Sequence, residues 1–434
     1  MFNIAEIPKY EAFKESGVDW LGLIPSDWNV KPGLVAFTES KRDNKGMKES
    51  RVLSLSYGRI IVKPEEKLVG LVPESFETYQ LVDPGDIIVR CTDLQNDQTS
   101  LRTGLAKDKG IITSAYLNLK VNQGYDARYM HYYIHALDTS KVLYKFGTGL
   151  RQNLSYIDFK RLPVLDIPLE WQLDIAKFLD KKTTKIDEAV ALKEQQIALL
   201  KERKQIIIQK AVTQGLDPNV PMKDSGVDWI GEIPAHWDLK RLKYVTKIVK
   251  RIVGYEGPDV LSITQRGIKI KDIDSGEGQL AMDYSKYQIV EVGDFAMNHM
   301  DLLTGYVDIS KFKGVVSPDY RVFVRTYDGL DDEFLLAIFQ LGYQQKIFYR
   351  YGQGVSLLGR WRFPAENFNN FFVPIPPKEE QKLIFRRVKE EWDKVDKGIA
   401  LLLSQIGKLK EYKTTLINSA VTGKIRITPD MVEA

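Results

Sequence analysis

The feature that most constrains this chain is an internal duplication. Residues 15–31 read ESGVDWLGLIPSDWNVK and residues 224–240 read DSGVDWIGEIPAHWDLK, with 10 of 17 positions identical at an offset of 209. Further matches follow in the same order, ending with the Ala-Val-Thr that begins at Ala211 and again at Ala420. Solenoid repeats are about 20–50 residues long, so a repeat of nearly half the chain indicates a tandem domain duplication.

Each copy begins with a region of mixed strand and helix signals. Short apolar runs such as 85–89 and 320–324 are separated by Gly, Pro, Asn and Asp, which predicts strands and turns. The stretches 126–137 and 331–341 predict helices. We therefore expect a mixed α/β (α+β) fold with two related globular domains of about 150 residues each.

Each copy ends with a long helical signal. After Pro168 and after Pro377, more than 40 residues run without proline. Because proline interrupts helices, its absence over such a length favours one continuous helix. The predicted division is globular domain 1 at 1–168, long helix 1 at 169–214, globular domain 2 at 215–376, long helix 2 at 377–424 and a C-terminal tail at 425–434.

Both predicted helices carry a coiled-coil seam, because their apolar residues recur at alternating steps of three and four. Thr183 and Lys193 make the first seam less apolar, and the second seam has a gap at Lys413. The predicted helix-pairing residues are Leu179, Ile186, Val190, Ile197, Leu200, Ile207, Val388, Trp392, Val395, Ile399, Leu402, Ile406, Leu409 and Leu416.

The order of these elements predicts how the two helices pair. Helix 1 leads from domain 1 to domain 2, and helix 2 leads away from domain 2, so pairing them forms an antiparallel coiled coil. We expect two pseudo-symmetric domains at opposite ends of this coiled coil. The alternative is that each helix folds back onto its own globular domain.

The sequence contains few signals of catalysis. It has no Gly-x-x-x-x-Gly-Lys-Ser/Thr loop, no Gly-x-Gly-x-x-Gly after a strand, and no Cys-x-x-Cys or His-Glu-x-x-His. His131 and His135 have metal-ligand spacing on one helix, but no third ligand is in view, so we expect a satisfied or solvent-facing pair. We therefore predict that the chain has no catalytic residue, no metal site and no cofactor of its own.

Composition restricts location and partners only loosely. The 62 basic and 58 acidic residues give a net charge of +4, which permits nucleic-acid binding through local patches without requiring it. Apolar runs such as 335–339 are far shorter than the roughly 20 residues that cross a bilayer. The N-terminus lacks an export signal and the single Cys91 cannot form an internal disulfide, so we expect a cytoplasmic protein with no membrane partner.

Polar and basic residues cluster where the two copies diverge. Arg, Asn and Gln can form paired hydrogen bonds with guanine or adenine edges, and Lys or Arg neutralises phosphate. The loop between Val89 and Gly104 holds 14 residues, whereas its counterpart between Met297 and Gly305 holds 7, so the copies vary this surface. The candidate DNA-binding residues are Lys41, Arg42, Asn44, Tyr57, Arg59, Arg90, Gln95, Asn96, Arg151, Gln152, Lys250, Arg251, Gln265, Arg266, Asn298, His299, Arg360 and Arg362.

The combined motifs resemble the specificity subunit of type I restriction-modification enzymes. Each copy opens with Gly-Val-Asp-Trp-(Leu/Ile)-Gly-x-Ile-Pro-x-x-Trp and has an internal Gly-Asp, at Gly85 and at Gly293. The long helices start with the Glu and Gln of residues 170–172 and 379–381, and they end in Ala-Val-Thr. The resemblance covers almost the whole chain.

This resemblance implies two target-recognition domains, each reading one half of a bipartite, asymmetric double-stranded DNA site, held apart by helices that set the spacer. It implies a non-catalytic subunit whose helices, at residues 170–213 and 379–422, dock two modification subunits. Those subunits would methylate adenine with S-adenosylmethionine, and restriction subunits would add ATP- and Mg-dependent translocation and DNA cleavage. Base-contacting residues lie in the family's most variable regions, so the candidates above rest on chemistry and divergence alone.

Two other functions stay open at this point. A single-chain restriction-methyltransferase would need cofactor and nuclease motifs, and S-adenosylmethionine binding by this chain alone would support it. A non-catalytic coiled-coil adaptor or decoy would lack duplex binding. Gel shifts at low and moderate salt would identify it, because phosphate neutralisation makes DNA binding steeply salt-dependent.

Overall fold

The duplication seen in the sequence appears as two units with the same strand order in the computed structural model, which describes residues 4–64, 66, 75–94, 97, 99–146, 153–265, 267–273, 283–354 and 361–433. One unit comprises Met1–Lys193 with Ser404–Ala434, and the other comprises Glu194–Leu403. Each unit therefore contains one globular region and a segment of both long helices.

The first copy is rich in short strands. Its strands are β1 (Phe13–Glu15), β2 (Leu23–Pro25), β3 (Asn29–Pro32), β4 (Phe37–Glu39), β5 (Leu53–Ser56), β6 (Arg59–Val62), β7 (Gln80–Val82), β8 (Ile87–Val89), β9 (Thr103–Leu105), β10 (Gly110–Ile112), β11 (Leu117–Val121) and β12 (Pro163–Asp166). Its helices are α1 (Ala127–Thr139), α2 (Tyr156–Arg161) and the long α3 (Leu169–Gln214).

The second copy repeats this pattern. Its strands are β13 (Met222–Asp224), β14 (Glu232–Pro234), β15 (Asp238–Arg241), β16 (Thr246–Val249), β17 (Leu261–Thr264), β18 (Gly267–Ile270), β19 (Gln288–Val290), β20 (Phe295–Met297), β21 (Val307–Ile309), β22 (Gly314–Val316), β23 (Arg321–Arg325), β24 (Gln353–Gly354), β25 (Trp361–Arg362) and β26 (Phe372–Ile375). Its helices are α4 (Asp332–Gln344), α5 (Ile347–Arg350), α6 (Ala365–Asn370), the long α7 (Lys378–Val421) and the C-terminal α8 (Pro429–Glu433).

Each unit contains a four-stranded antiparallel sheet with the same neighbour order. The order is β4-β11-β8-β9 in the first unit and β16-β23-β20-β21 in the second. Every residue of β8 and of β20 is buried, because these wholly apolar strands are covered on both faces. The loops that follow β8 and β20 therefore leave their sheets at equivalent positions. The predicted mixed α/β fold class with two pseudo-symmetric copies is confirmed.

The tryptophan that closes each repeated motif is a core residue. Trp28 and Trp237 have no exposed surface. Trp237 belongs to a core that also contains Ile208 and Val212 from the end of α3 and Val388 from the first part of α7. The ends of the long helices are thus structural parts of this globular region.

A buried glutamine fixes the start of each long helix. Gln172 Oε1 accepts from the backbone N–H of Asp126 at 2.9 Å, and its Nε2 donates to the carbonyl of Ile167 at 2.9 Å. Gln381 repeats the first bond, with Asp331 at 2.7 Å. Both glutamines are fully buried. This explains the repeated Glu and Gln at the helix start, since the amide joins the long helix to the helix that begins beside Asp126 or Asp331.

The predicted seam residues face inward along both long helices. Nine are buried, namely Leu179, Ile186, Val190, Ile197, Val388, Val395, Ile406, Leu409 and Leu416. Five are half-buried, namely Leu200, Ile207, Trp392, Ile399 and Leu402.

Polar contacts give the direction of helix pairing in the first unit. Lys413 Nζ of α7 lies 2.7 Å from Asp187 Oδ1 of α3. Further along α3, Lys193 Nζ donates to Gln405 Oε1 at 2.6 Å. The α7 number falls as the α3 number rises, so the predicted antiparallel pairing is confirmed.

The second unit contains the symmetry-related contact. Lys204 Nζ lies 2.7 Å from Asp396 Oδ1. Asp396 follows Asp187 by 209 residues, and Lys413 follows Lys204 by the same offset. One ion pair between the helices is therefore present twice, once in each unit.

Candidate nucleic-acid interface

In the first copy, a buried arginine organises the loop between β8 and β9. Arg102 has no exposed surface, and its guanidinium donates to the carbonyls of Thr92 at 2.7 Å and Asp93 at 3.0 Å. Its Nε donates to Tyr144 Oη at 3.1 Å, and its backbone N–H donates to Asp138 Oδ2 at 2.7 Å. A guanidinium has five N–H donors in one plane, so one side chain can hold several loop carbonyls. Sequence reasoning missed Arg102, because a basic residue at a loop end is ordinarily exposed.

In the second copy, the loop after β20 lies beside a different buried arginine. Arg321 of β23 is 5% exposed, and its Nη2 donates to the carbonyl of Phe363 at 2.8 Å. Its guanidinium lies 4.7 Å from the ring centroid of Phe368, and burial lowers the pKa of Arg321 to about 10. Burial also lowers the pKa of His299 to about 4, with smaller contributions from Arg321 and Arg362, so this imidazole is neutral at pH 7.

Five of the candidate DNA-binding residues have exposed side chains that project from the globular regions. The most exposed is Tyr57, at 92%. It occupies the two-residue turn between β5 and β6 with φ 48°. Asn298 and His299 are half-buried on the loop after β20. The five exposed candidates are Lys41, Tyr57, Lys250, Gln265 and Arg362.

Two candidates belong to the shared scaffold instead. Arg42 lies 2.7 Å from Asp83 and 3.6 Å from Asp86, and Arg251 pairs with Asp294. Arg251 follows Arg42 by 209 residues, and Asp294 is the counterpart of Asp86. The prediction that these arginines belong to the divergent surface is wrong, because both copies use them for the same ion pair.

Asn44 is also a structural residue. It is fully buried, its Nδ2 donates to the carbonyl of Glu49 at 2.9 Å, and its Oδ1 accepts from the Glu49 N–H at 3.0 Å. Its Nδ2 also donates to the carbonyl of Phe76 at 3.3 Å. The prediction that Asn44 contacts DNA is wrong, because its amide is enclosed and its hydrogen bonds are made within the fold.

Two further candidate arginines are held in ion pairs. Arg90 Nη1 lies 3.2 Å from Asp97 within the same loop. Arg59 Nη2 lies 2.8 Å from Asp187 on α3, so its guanidinium is directed at the long helix. The remaining candidates, Gln95, Asn96, Arg151, Gln152, Arg266 and Arg360, lie outside the described residues.

The histidine pair on α1 borders a cavity of about 480 Å³. His131 Nε2 and His135 Nδ1 are buried and have no hydrogen-bond partner, which corrects the expectation of a satisfied or solvent-facing pair. Burial lowers the pKa of His131 to about 3 and that of His135 to about 4, so both are neutral at pH 7. Within the described ranges, no cluster of three or more His, Cys, Asp or Glu side chains could hold a metal ion.

The long helices also expose apolar side chains beside the seam. Leu192 and Leu401 are each 61% exposed and are separated by the repeat offset of 209. Leu199 is 63% exposed, and Leu403 is 55% exposed. Exposed leucines in a row on a helix indicate a contact surface for another protein. None of the helices in the described part of the chain is long and apolar enough to cross a membrane.

Two copies of one scaffold that share core residues but differ in their loops define a protein specialised for recognition. Comparison with known proteins identifies the family. Residues 268–406 match the family model described as the type I restriction modification DNA specificity domain. The MjaVIII type I restriction enzyme specificity subunit of Methanocaldococcus jannaschii is 26% identical over 460 residues, covering 98% of this chain and 99% of that protein.

Two other similarities extend over nearly the whole chain. The protein described as the MjaX specificity subunit of the same organism is 24% identical over 452 residues, covering 98% of this chain and all of that protein. A solved structure from a study of complex assembly and conformational transition of the type I R-M system shares the fold, with a TM-score of 0.65 at 14% identity. It covers 92% of this chain and 98% of that chain.

These findings confirm the resemblance predicted from the motifs. The chain belongs with the specificity subunits of type I restriction-modification systems, and its role is DNA sequence specificity within such a complex. That membership implies recognition, not catalysis, by this chain itself.

Proposed function

We propose that this chain reads a bipartite, asymmetric DNA sequence, with residues 1–168 and 215–376 as the two target-recognition domains and the paired helices setting the spacer. The carrying observation is that equivalent sheets emit unlike loops. The loop after β8 is held by Arg102, whereas the shorter loop after β20 lies beside Arg321. One scaffold with two different loop surfaces suits two different half-sites.

The exposed candidates supply the chemistry for contacting DNA. Gln265 and Arg362 can bind base edges in pairs of hydrogen bonds, and Lys41 and Lys250 can neutralise phosphates. Tyr57 offers an exposed ring at a turn. We expect Arg362→Gln to weaken specific binding by about 1–3 kcal/mol if it reads guanine, and Lys250→Gln to weaken binding evenly across sequences.

The chemistry on DNA is assigned to partners. Two modification subunits would methylate adenine with S-adenosylmethionine, and restriction subunits would use ATP and Mg to translocate and cut DNA. An adenine must leave the base stack to be methylated, and a partner subunit would hold it. The cytoplasmic location expected for such a complex remains a prediction.

The exposed leucines are the proposed docking surface for the modification subunits. Leu192 and Leu401 occupy the same position in each repeat, which suits two copies of one partner. We expect Leu192→Glu or Leu401→Glu to release one modification subunit each, measured by the mass of the assembled complex. Lys201→Glu, an exposed change on the same helix, is the control. Full assembly of both leucine variants would contradict this surface.

Domain exchange tests the reading function directly. The chain is mixed with its modification subunit, and methylated adenines are mapped on random DNA. Replacing residues 225–376 with the corresponding region of another specificity subunit should change one half-site and leave the other unchanged. An unaltered motif would contradict the proposal. Binding that barely weakens between 50 and 200 mM salt would favour an adaptor instead, because phosphate contacts are strongly salt-dependent.

A further inference from the structure

We propose that Asp187 positions the first globular region on the paired helices, and through it the half of the DNA site that this region reads. Asp187 of α3 contacts Lys413 of α7 and Arg59 of β6, and we call these three residues the Asp187 bridge. The bridge itself rests on distances within one unit. Its effect on DNA rests on the proposed function.

One carboxylate holds both cations of the bridge. Arg59 Nη2 lies 2.8 Å from Asp187 Oδ2, and Lys413 Nζ lies 2.7 Å from Oδ1 and 2.8 Å from Oδ2. The side chain of Lys413 is 27% exposed and fills the gap in the apolar seam. Hydrogen bonds between two charged groups are the stronger kind. The bridge therefore joins the β5–β6 hairpin to both long helices at one point.

The hairpin that carries Arg59 is a stiff element. Tyr57 and Gly58 have φ of 48° and 75°, and two successive positive values are characteristic of a type I′ turn. This turn matches the twist of its strands, so β5 and β6 stay paired immediately before Arg59. A force on the Arg59 guanidinium is therefore passed to the whole hairpin.

Apolar packing does not fill the space beside the bridge. The cavity next to it is lined by residues of the hairpin, α1 and the long helices, including Arg59, Asp187 and Lys413. His131 and His135 present unpartnered nitrogen atoms there. With loose packing at this place, a direct ion pair has more influence on where the hairpin sits.

The second copy lacks the globular arm of the bridge. The position equivalent to Arg59, at an offset of 208, is Gly267, which has no side chain. Asp396, the counterpart of Asp187, pairs with Lys204 and is 60% exposed. The same helix-to-helix ion pair is thus present in both copies, but only Asp187 also holds an arginine from the β-hairpin next to it.

The second globular region contacts its helix through neutral groups. Gln345, at the end of α4, donates from Nε2 to Gln209 Oε1 of α3 at 3.0 Å. Salt screens exposed charges, with a Debye length of about 8 Å at physiological ionic strength, and has little effect on amide hydrogen bonds. Raised salt should therefore loosen the Arg59 attachment before the Gln345 attachment.

Hydrogen exchange on the purified chain tests the bridge without DNA. Arg59→Gln and Asp187→Asn should each speed exchange of the β6 amides by about two- to fivefold, the range expected for an exposed ion pair. Arg59→Lys should restore part of the protection. Asp396→Asn is the matched control, and it should leave both β6 and β18 unchanged. Unchanged β6 exchange in both bridge variants would overturn the proposal.

Methylation mapping with the modification subunit tests the positioning role. For Arg59→Gln we expect the same bases in both half-sites but acceptance of spacers one base pair longer or shorter. A changed base would overturn the proposal, because Arg59 would then be a reading residue. Faster exchange with an unaltered motif would also overturn it, because the bridge would then be merely local. If the wild-type chain directs no sequence-specific methylation, the proposed function fails while the exchange result still decides the bridge.

Discussion

Replacing Gln172 by leucine should selectively loosen the start of α1. The change leaves the Asp126 N–H and the carbonyls of Ile167 and Gly124 without the partners that Gln172 provides. Each buried polar group left unpaired costs about 1–3 kcal/mol, and relaxation recovers part of the sum. We therefore expect a local loss of about 2–5 kcal/mol. Exchange of the first α1 amides should accelerate at least tenfold, since 1.4 kcal/mol corresponds to a factor of ten.

The chain supplies its own control for this experiment. Gln381→Leu removes the equivalent bonds to Asp331 and to the carbonyl of Gly329, so it should loosen α4 and leave α1 unchanged. Local exchange is the appropriate assay because a chain with two units need not unfold in one step. Equal effects of both variants on both helices, or a change of less than threefold at α1, would refute the reasoning.

Three further outcomes follow from particular residues. Burial raises the pKa of Cys91 to about 12, so alkylation of the native chain at pH 8 should be about a thousandfold slower than that of an exposed thiol. His131 titrates at about 3 when folded, lowered by burial, and near 6.5 when unfolded, so its stabilising effect is complete above pH 6.5 and falls as the pH drops toward 3. His131→Phe should flatten the decline in urea midpoint between pH 6.5 and 5. A double-mutant cycle of Lys204→Met and Asp396→Asn should give a coupling of about 0.2–1 kcal/mol in urea unfolding.

Much of the fold could be predicted because its signals are local. A helix ending near Gln214 follows from the absence of proline after Pro168, and α3 does span Leu169–Gln214. The repeated tryptophan motif predicted matching cores, and Trp28 and Trp237 are both fully buried. Periodicity and repetition are properties of the chain itself, so no knowledge of distant contacts is needed to interpret them.

The roles of individual polar residues could not be predicted in the same way. Asn44 and Gln265 both follow strand signals with polar neighbours, yet Asn44 is enclosed and Gln265 is exposed. Arg102 is buried by groups far along the chain, including Tyr144. One available signal went unused, which is that Arg42 and Arg251 stand at the same place in both repeats. Residues that a duplication retains are more often scaffold than reading surface.

The ion pairs between the long helices address a weakness of heptad seams. An apolar seam repeats every seven residues, so a slip of one heptad leaves most apolar contacts intact. A charged pair at a seam position resists the slip, because the lysine loses its carboxylate. The pairs Asp187–Lys413 and Lys204–Asp396 place such a charge in each unit.

The two pairs differ in how well they select the register. Lys413 would still meet an acid after a slip in either direction, because acidic residues recur along α3 at Asp180, Asp187 and Glu194. Lys204 would face Leu403 after a slip one way and Lys389 after a slip the other way. The second-unit pair therefore carries the register information, through a buried mismatch or a repulsion. Because the register determines how far each helix extends past the other, the charge at Lys204 is the feature of this sequence that best accounts for a fixed spacing.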